Sequence, residues 1–208
     1  MVLVAVVLLA TAACGTERGA ESAAPSGFDP DDGCSMAVGR FAISTEYVAW
    51  EDMLGPPYLG ADPTYEPADE SVLADVSLPG TLAGLPAQTM RREAPEIVVF
   101  YGEGAVGAGY PSDLAGTGGL VLTRAPSEMS DRQWVANLVS LLGDRITQVQ
   151  VGPSVGSVGQ RDADHEHAEF RPLQVNWVEG GYQFALVGVR DPAELVVAAR
   201  ELACGQDS

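Results

Sequence analysis

The chain contains no lysine, and its charge is strongly one-sided. All 11 basic residues are arginines, whereas 29 residues are acidic, which gives a net charge of −18 over 208 residues. Nucleic acids and anionic lipids are both bound through basic surfaces. The composition therefore argues against a nucleic-acid partner and against electrostatic binding to anionic membranes. Two explanations of the acidic excess stay open: solubility through self-repulsion, or an acidic site that recruits a cationic partner or a metal.

Long hydrophobic runs are absent as well. The longest one, residues 2–13, is wholly apolar or small, and it is shorter than the roughly 20 helical residues that a membrane span requires. Its length is typical of the hydrophobic region of a signal peptide. We therefore expect residues 1–13 to direct export and not to form a membrane-spanning helix.

A cysteine follows this run directly. The sequence Thr11-Ala12-Ala13-Cys14 resembles a bacterial lipobox, in which a diacylglyceryl group is attached to the cysteine before the chain is cleaved ahead of it. The resemblance implies a lipoprotein that carries fatty acid such as palmitate at Cys14 and is held at the outer face of the cell membrane. The alternative is a cleaved secretory signal in which Cys14 is incidental.

The next segment, residues 14–33, is rich in small and acidic residues, and Phe28 is its only large apolar side chain. Such a composition cannot bury enough surface to offset the entropy of ordering, so we interpret the segment as a flexible tether after the lipidated Cys14. The other two cysteines, Cys34 and Cys204, form an even pair in an exported chain, which favours a disulfide bond. Two buried free thiols are the alternative.

Residues 34–208 are predicted to form a single α+β domain. Runs of β-branched and aromatic residues at 96–101, 120–123 and 145–151 predict strands. Residues 130–142 predict a helix capped by Ser130 and Gln133, with an apolar face made of Trp134, Val135, Leu138, Val139, Leu141 and Leu142. Residues 44–54 are interpreted as a short helix, although the alternation over 40–47 also suits a strand, and residues 55–70 as an irregular loop.

The C-terminal part has the clearest pattern. Residues 173–189 predict a hairpin whose Gly180-Gly181 turn sets Trp177 opposite Phe184 and Val175 opposite Leu186. A last helix is predicted after a cap at Asp191. The aromatic side chains Trp134, Trp177, Tyr182 and Phe184 are interpreted as core. This order of elements predicts an α+β fold, with a mainly antiparallel, curved sheet and two helices packed on one face.

A family resemblance rests on the same segments. Residues 177–182 (WVEGGY) followed by 191–195 (DPAEL) look like the C-terminus of a bacterial domain of unknown function, which occurs in exported lipoproteins and at the outer ends of anti-sigma factors. Residues 82–86, 98–102 and 120–122 are similar to it in their order. The resemblance covers about residues 78–204 and extends loosely to half-barrel carriers of lipids and lipoproteins. It implies an exported sensing, binding or regulatory module, and it carries no catalytic residue.

Three local patterns point to chemistry. Residues 152–156 (GPSVG) match the nucleophile elbow of hydrolases around Ser154, but no helical periodicity follows, so we interpret them as part of a loop between strands. Residues 102–107 match a dinucleotide-binding fingerprint without the helix that it requires, and we expect no cofactor. His165 and His167 are spaced to share one face of a strand and could contact a divalent metal; a solvated loop is the alternative.

Taken together, the patterns favour a non-enzymatic cell-envelope lipoprotein that binds a protein partner or a small apolar ligand. One alternative is a carrier whose sheet holds an acyl chain in a cavity between the sheet and the two helices. Another is an envelope hydrolase that uses Ser154.

Overall fold

A computed structural model describes residues 32–48, 66–93, 95–103, 118–161 and 172–205. Within these ranges the helices are α1 (Glu70–Asp75), α2 (Asp131–Leu142) and α3 (Pro192–Gly205). The strands are β1 (Tyr47–Val48), β2 (Glu66–Pro67), β3 (Thr81–Leu82), β4 (Leu85–Glu93), β5 (Glu96–Tyr101), β6 (Leu120–Pro126), β7 (Ile146–Val151), β8 (Ser154–Arg161), β9 (Leu173–Glu179) and β10 (Tyr182–Gly188). In this part of the chain, no helix is long and apolar enough to cross a membrane.

One sheet organises the fold. Its strands lie in the order β1-β8-β9-β10-β6-β5-β4-β2, with β7 also paired to β8 and β3 to β4. The pairs are antiparallel except for β1 with β8. The predicted α+β class with a mainly antiparallel, curved sheet is therefore confirmed.

The last hairpin forms as its sequence predicts. Gly180 and Gly181 have φ of 59° and 80°, which glycine adopts without the steric penalty of a side chain. This turn pairs Trp177 with Phe184 and Val175 with Leu186. Because β9 and β10 occupy the middle of the sheet, the register of this hairpin sets which side chains enter the core.

Helix α2 begins at the predicted cap. The Ser130 hydroxyl accepts a hydrogen bond from the Gln133 backbone N–H at 3.3 Å, and the Gln133 side chain accepts one from the Ser130 N–H at 3.1 Å. Trp134 and Leu138 are buried on its inner face. Leu141, which was expected on that face, is 58% exposed, because its position lies at the edge of the apolar stripe.

The two long helices lie on opposite faces of the sheet, so the prediction of one shared face is wrong. Val178 of β9 packs in a cluster with Trp134 and Leu138 of α2. Its neighbour Trp177 packs in a separate cluster with Leu195 and other residues of α3. Successive side chains of a strand point to opposite faces. β9 is buried on both sides along most of its length, so it lacks the alternation that would have marked one solvent face.

Two other segments differ from their interpretation. Of residues 152–156, which were expected in a loop, Ser154 to Gly156 begin β8, where a Cβ at Gly156 would stand 2.6 Å from the Asn176 carbonyl oxygen. Glycine is required there because β9 approaches closely. Tyr47–Val48, expected in a helix, pairs with β8 as β1. The described residues do not include the rest of that segment after Val48 or residues 55–65 of the expected loop. At the end of that loop, Glu66–Pro67 form β2 and Glu70 begins α1.

The N-terminal end of the described chain is joined to α3. The Cys34 and Cys204 sulfur atoms are 2.06 Å apart, and these residues are separated by 170 positions in sequence. The Gly152 N–H donates to the Gly33 carbonyl at 3.0 Å, and the Arg200 guanidinium donates to the Ser35 carbonyl at 2.6 Å. The predicted cysteine pairing therefore corresponds to a disulfide in the structure.

Candidate functional site

A cleft of about 380 Å³ lies at the turn end of the β9–β10 hairpin. It is bounded by the C-terminus of α1, the hairpin and the last turns of α3. Its lining residues are Asp75, Val76, Ser77, Arg124, Trp177, Glu179, Gly180, Tyr182, Phe184, Leu202 and Ala203. This volume falls at the lower end of the range of about 300–1,000 Å³ that small-molecule sites occupy.

Aromatic side chains form one wall of the cleft. The rings of Trp177 and Phe184 stack at 4.9 Å between centroids with an interplanar angle of 9°, because the hairpin register places them directly opposite. Both residues are buried, as expected, whereas Tyr182 at the strand end is 39% exposed. The indole N–H of Trp177 is buried without a hydrogen-bond partner among the described residues.

Arg124 crosses the cleft from β6. It lies opposite Phe184 in the β6–β10 ladder. Its guanidinium carbon is 4.4 Å from the centroid of the Tyr182 ring, and its Nη1 donates to the Val76 carbonyl. Burial lowers the pKa of Arg124 and the nearby Tyr182 raises it, but an arginine keeps its charge in a protein. Arg124 thus holds the end of α1 against the sheet through a cation–π contact and a hydrogen bond.

The rim opposite the hairpin is a tight helix end. The Ser77 N–H donates to the Ala74 carbonyl at 3.0 Å and the Leu78 N–H to the Leu73 carbonyl at 2.9 Å, the pattern of a Schellman motif. This motif puts Ser77 at φ 52°, where glycine is usual. The turn presents Asp75 and Ser77 to the cleft.

Among the described residues that line the cleft, the charged side chains are the carboxylates of Asp75 and Glu179 and the guanidinium of Arg124. The Arg124 guanidinium already lies on Tyr182 and the Val76 carbonyl. The exposed Tyr182 ring beside the Asp75 carboxylate can attract a positively charged group through ring and charge contacts.

A second cleft of about 330 Å³ continues along the same side of α3. It shares Ser77 and Leu202 with the first and also contacts Glu201. The Glu201 carboxylate accepts a hydrogen bond from the Ala83 N–H at 3.1 Å. Glu201 therefore joins the β3–β4 turn to α3 at the border of this second cleft.

The structure places only some of the residues singled out from the sequence. Ser154 is buried at the start of β8 and pairs with Val151 across the Gly152-Pro153 turn. This is a turn between antiparallel strands and not the strand-turn-helix of a nucleophile elbow. Cys14, His165 and His167 lie outside the described residues. Within those that are described, no group of three or more His, Cys, Asp or Glu side chains could hold a metal ion.

No family model, curated protein or solved structure matches this chain. The cleft is therefore interpreted from its own residues. Sequence patterns single out Trp177, Tyr182 and Phe184 but not Asp75, Ser77 or Arg124, because these three are ordinary polar residues that the fold brings together from distant segments. The only local signal is an arginine inside the apolar run of β6.

Proposed function

We propose that this chain is a non-enzymatic, lipid-anchored binding module of the bacterial cell envelope, and that its cleft takes a small organic cation with an apolar part. The observation that carries the proposal is that the exposed ring of Tyr182 and the carboxylate of Asp75 line one cleft of small-molecule size. The net charge of −18 adds a long-range attraction for cations.

The anchor belongs to the same proposal and is supported by sequence. Cys14 follows a short apolar run and a lipobox-like Thr11-Ala12-Ala13, and residues 14–33 have the composition of a tether. A module of this kind would be exported and held at the outer face of the membrane, where disulfide bonds persist. The resemblance of residues 78–204 to a domain of exported lipoproteins and anti-sigma factors agrees with a sensing or regulatory role.

Two kinds of contact would select a cationic ligand in this cleft. The face of an aromatic ring attracts a cation by about 0.5–2 kcal/mol, the larger values applying where water is excluded. A partly exposed carboxylate adds about 0.2–1 kcal/mol per pair. The apolar part of the ligand would lie against Tyr182, Val76 and Ala203, which line the cleft and are at least partly exposed. Together these contacts predict a modest affinity for a simple probe and a clear dependence on charge.

The proposal is tested by calorimetric titration of the full-length chain with phenyltrimethylammonium. We expect saturable binding that weakens about three- to tenfold in the double variant Asp75→Asn/Glu179→Gln, because two attractive charges are lost. The matched control is Asp144→Asn, which removes an exposed carboxylate from the turn after α2, outside the cleft lining. Benzyl alcohol serves as a neutral ring of similar size and should bind more weakly.

Equal binding of the cation by the wild type and the double variant would contradict the proposed cleft. Lipid that co-purifies with the protein would instead favour the acyl-chain carrier. Such a carrier would need a different cavity from the one first expected between the sheet and both helices, because among the described residues α2 and α3 lie on opposite faces.

A further inference from the structure

The two clefts beside the end of α3 meet along a common wall. The cleft at the β9–β10 turn, which we call the first cleft, and the second cleft both contact Ser77 and Leu202. Their volumes are about 380 and 330 Å³. Because the clefts share these two lining residues, one elongated molecule can extend from the first cleft into the second.

The first cleft contains a carboxylate that the fold does not use. Asp75 lies at the C-terminal end of α1, where its side chain is exposed. In the described part of the chain no arginine lies within ion-pair distance of this carboxylate. The ring of Tyr182, which is 39% exposed, lines the same cleft. A cation in the first cleft would therefore find a carboxylate and a ring face that are both open to solvent.

The second cleft has a carboxylate of its own. The half-buried side chain of Glu201 lines it, and Glu201 Oε2 accepts a hydrogen bond from the Ala83 N–H at 3.1 Å. This donor is an uncharged amide. Among the described residues no basic side chain is paired with Glu201, so its negative charge is held in place by the β3–β4 turn without being neutralised.

The end of α3 adds to the negative potential of the second cleft. Gly205, the last residue of this helix, lines the cleft beside Glu201. The last carbonyl groups of a helix have no partner within the helix, and they give this end a partial negative charge that favours a cation. The last turn of α3 contains no basic residue that would offset it.

A single molecule with two charges suits this arrangement better than two separate cations. Two cations in neighbouring clefts repel each other, and each loses its translational freedom on binding. A chain that joins two ammonium groups loses that freedom once and binds its second group intramolecularly. The carboxylates of Asp75 and Glu201 lie in different clefts, so the two charges of the ligand need to be at opposite ends of a spacer.

We infer that the two clefts form one site for a linear diammonium compound. One ammonium group lies beside Asp75 and the Tyr182 ring, the spacer passes Ser77, and the other ammonium group lies beside Glu201 and the end of α3. This inference rests on the proposed function, and it narrows the small organic cation to compounds that carry a charge at each end of a methylene chain.

The test compares two probes by calorimetric titration of the full-length chain. Hexamethylenediamine has an ammonium group at each end of its methylene chain, whereas hexylamine has the same chain with one ammonium group. The decisive variants are Asp75→Asn and Glu201→Gln, and the latter keeps a side-chain oxygen that can accept from the Ala83 N–H. The matched control is Glu194→Gln, which removes an exposed carboxylate from the first turn of α3, outside both cleft linings. Thermal unfolding verifies that the three variants are folded.

The wild type should bind hexamethylenediamine about three- to tenfold more tightly than hexylamine, because the second ammonium group gains a partly exposed carboxylate and a helix end. Asp75→Asn and Glu201→Gln should each lower this ratio of affinities about two- to fivefold, since each removes one of the two charged partners. Glu194→Gln should leave the ratio unchanged.

Equal affinity of the wild type for the two amines would overturn the shared site. The same holds for a ratio that falls in Glu201→Gln but not in Asp75→Asn, or that falls equally in Glu194→Gln. The proposed function would survive these results if phenyltrimethylammonium still bound to the first cleft. Absence of binding by both amines and by phenyltrimethylammonium would contradict the proposed function, and the diammonium site with it.

Discussion

Removal of the Cys34–Cys204 disulfide should destabilise the domain more than any single side-chain truncation on its surface. The bond joins residues 170 positions apart, so it restricts nearly the whole unfolded domain. In the chain-entropy model a closed loop of this length stabilises the folded state by about 5 kcal/mol at 25 °C. Domains of this kind have total stabilities of about 5–15 kcal/mol, and the loss is therefore large enough to unfold a marginal one.

The perturbation is the double variant Cys34→Ser/Cys204→Ser, compared with the wild type in urea unfolding followed by circular dichroism. We expect a free energy of unfolding that is lower by about 3–5 kcal/mol, because engineered and native bridges often contribute less than the model value. The m value should rise, since the uncrosslinked unfolded chain exposes more surface. Cys14→Ser is the control, because it removes a cysteine that the bridge does not use.

A much smaller loss of stability in the double variant would mean that the disulfide does not act through the unfolded chain. Without the bond the N-terminal segment of the described chain still has the Gly152–Gly33 and Arg200–Ser35 hydrogen bonds. If these alone held the ends together and the unfolded chain were compact, the double variant would lose less than about 1 kcal/mol with an unchanged m value. That outcome would refute the assignment of the stabilisation to the unfolded state.

Three further predictions concern stability. Burial raises the pKa of the Tyr101 hydroxyl above its usual 10.0, so its contribution to the free energy of unfolding is complete below pH 10. Above pH 10 this contribution is lost by up to about 1.4 kcal/mol per pH unit. Tyr101→Phe should therefore reduce the fall of the melting temperature between pH 8 and 11. Ser130→Ala removes the cap of α2 and should lower the free energy of unfolding by about 1 kcal/mol in urea, and an unchanged value would mean that the cap contributes nothing. Ala83 has φ 50° in the turn before Gly84, and Ala83→Asn should raise the melting temperature by a few degrees, because asparagine tolerates this conformation; a lower melting temperature would contradict this.

The elements that local sequence determines were predictable. The β9–β10 hairpin depends on two adjacent glycines, and α2 on a reciprocal cap between Ser130 and Gln133. Each signal lies within a few residues of the structure that it produces. The α+β class follows from the order of such elements.

The parts that depend on distant contacts were not predictable. β8 contains Gly156 because the Asn176 carbonyl of β9 approaches it, and from sequence alone such a glycine favours a loop. The opposite placement of α2 and α3 follows from a strand that is buried on both sides, whose apolar run does not reveal which helix covers which face. The cleft joins Asp75, Arg124 and Glu179 from three separate segments, and no periodicity links them.

The central claim, an exported and lipid-anchored binding module, is tested most directly by native mass spectrometry of the protein extracted from the membranes of its host. We expect a chain that begins at Cys14, carries a diacylglyceryl group and retains a small cationic ligand, with a smaller share of the Asp75→Asn/Glu179→Gln variant still occupied. A chain that begins elsewhere or has no lipid would contradict the anchor, and equal occupancy in the wild type and the double variant would contradict the proposed cleft.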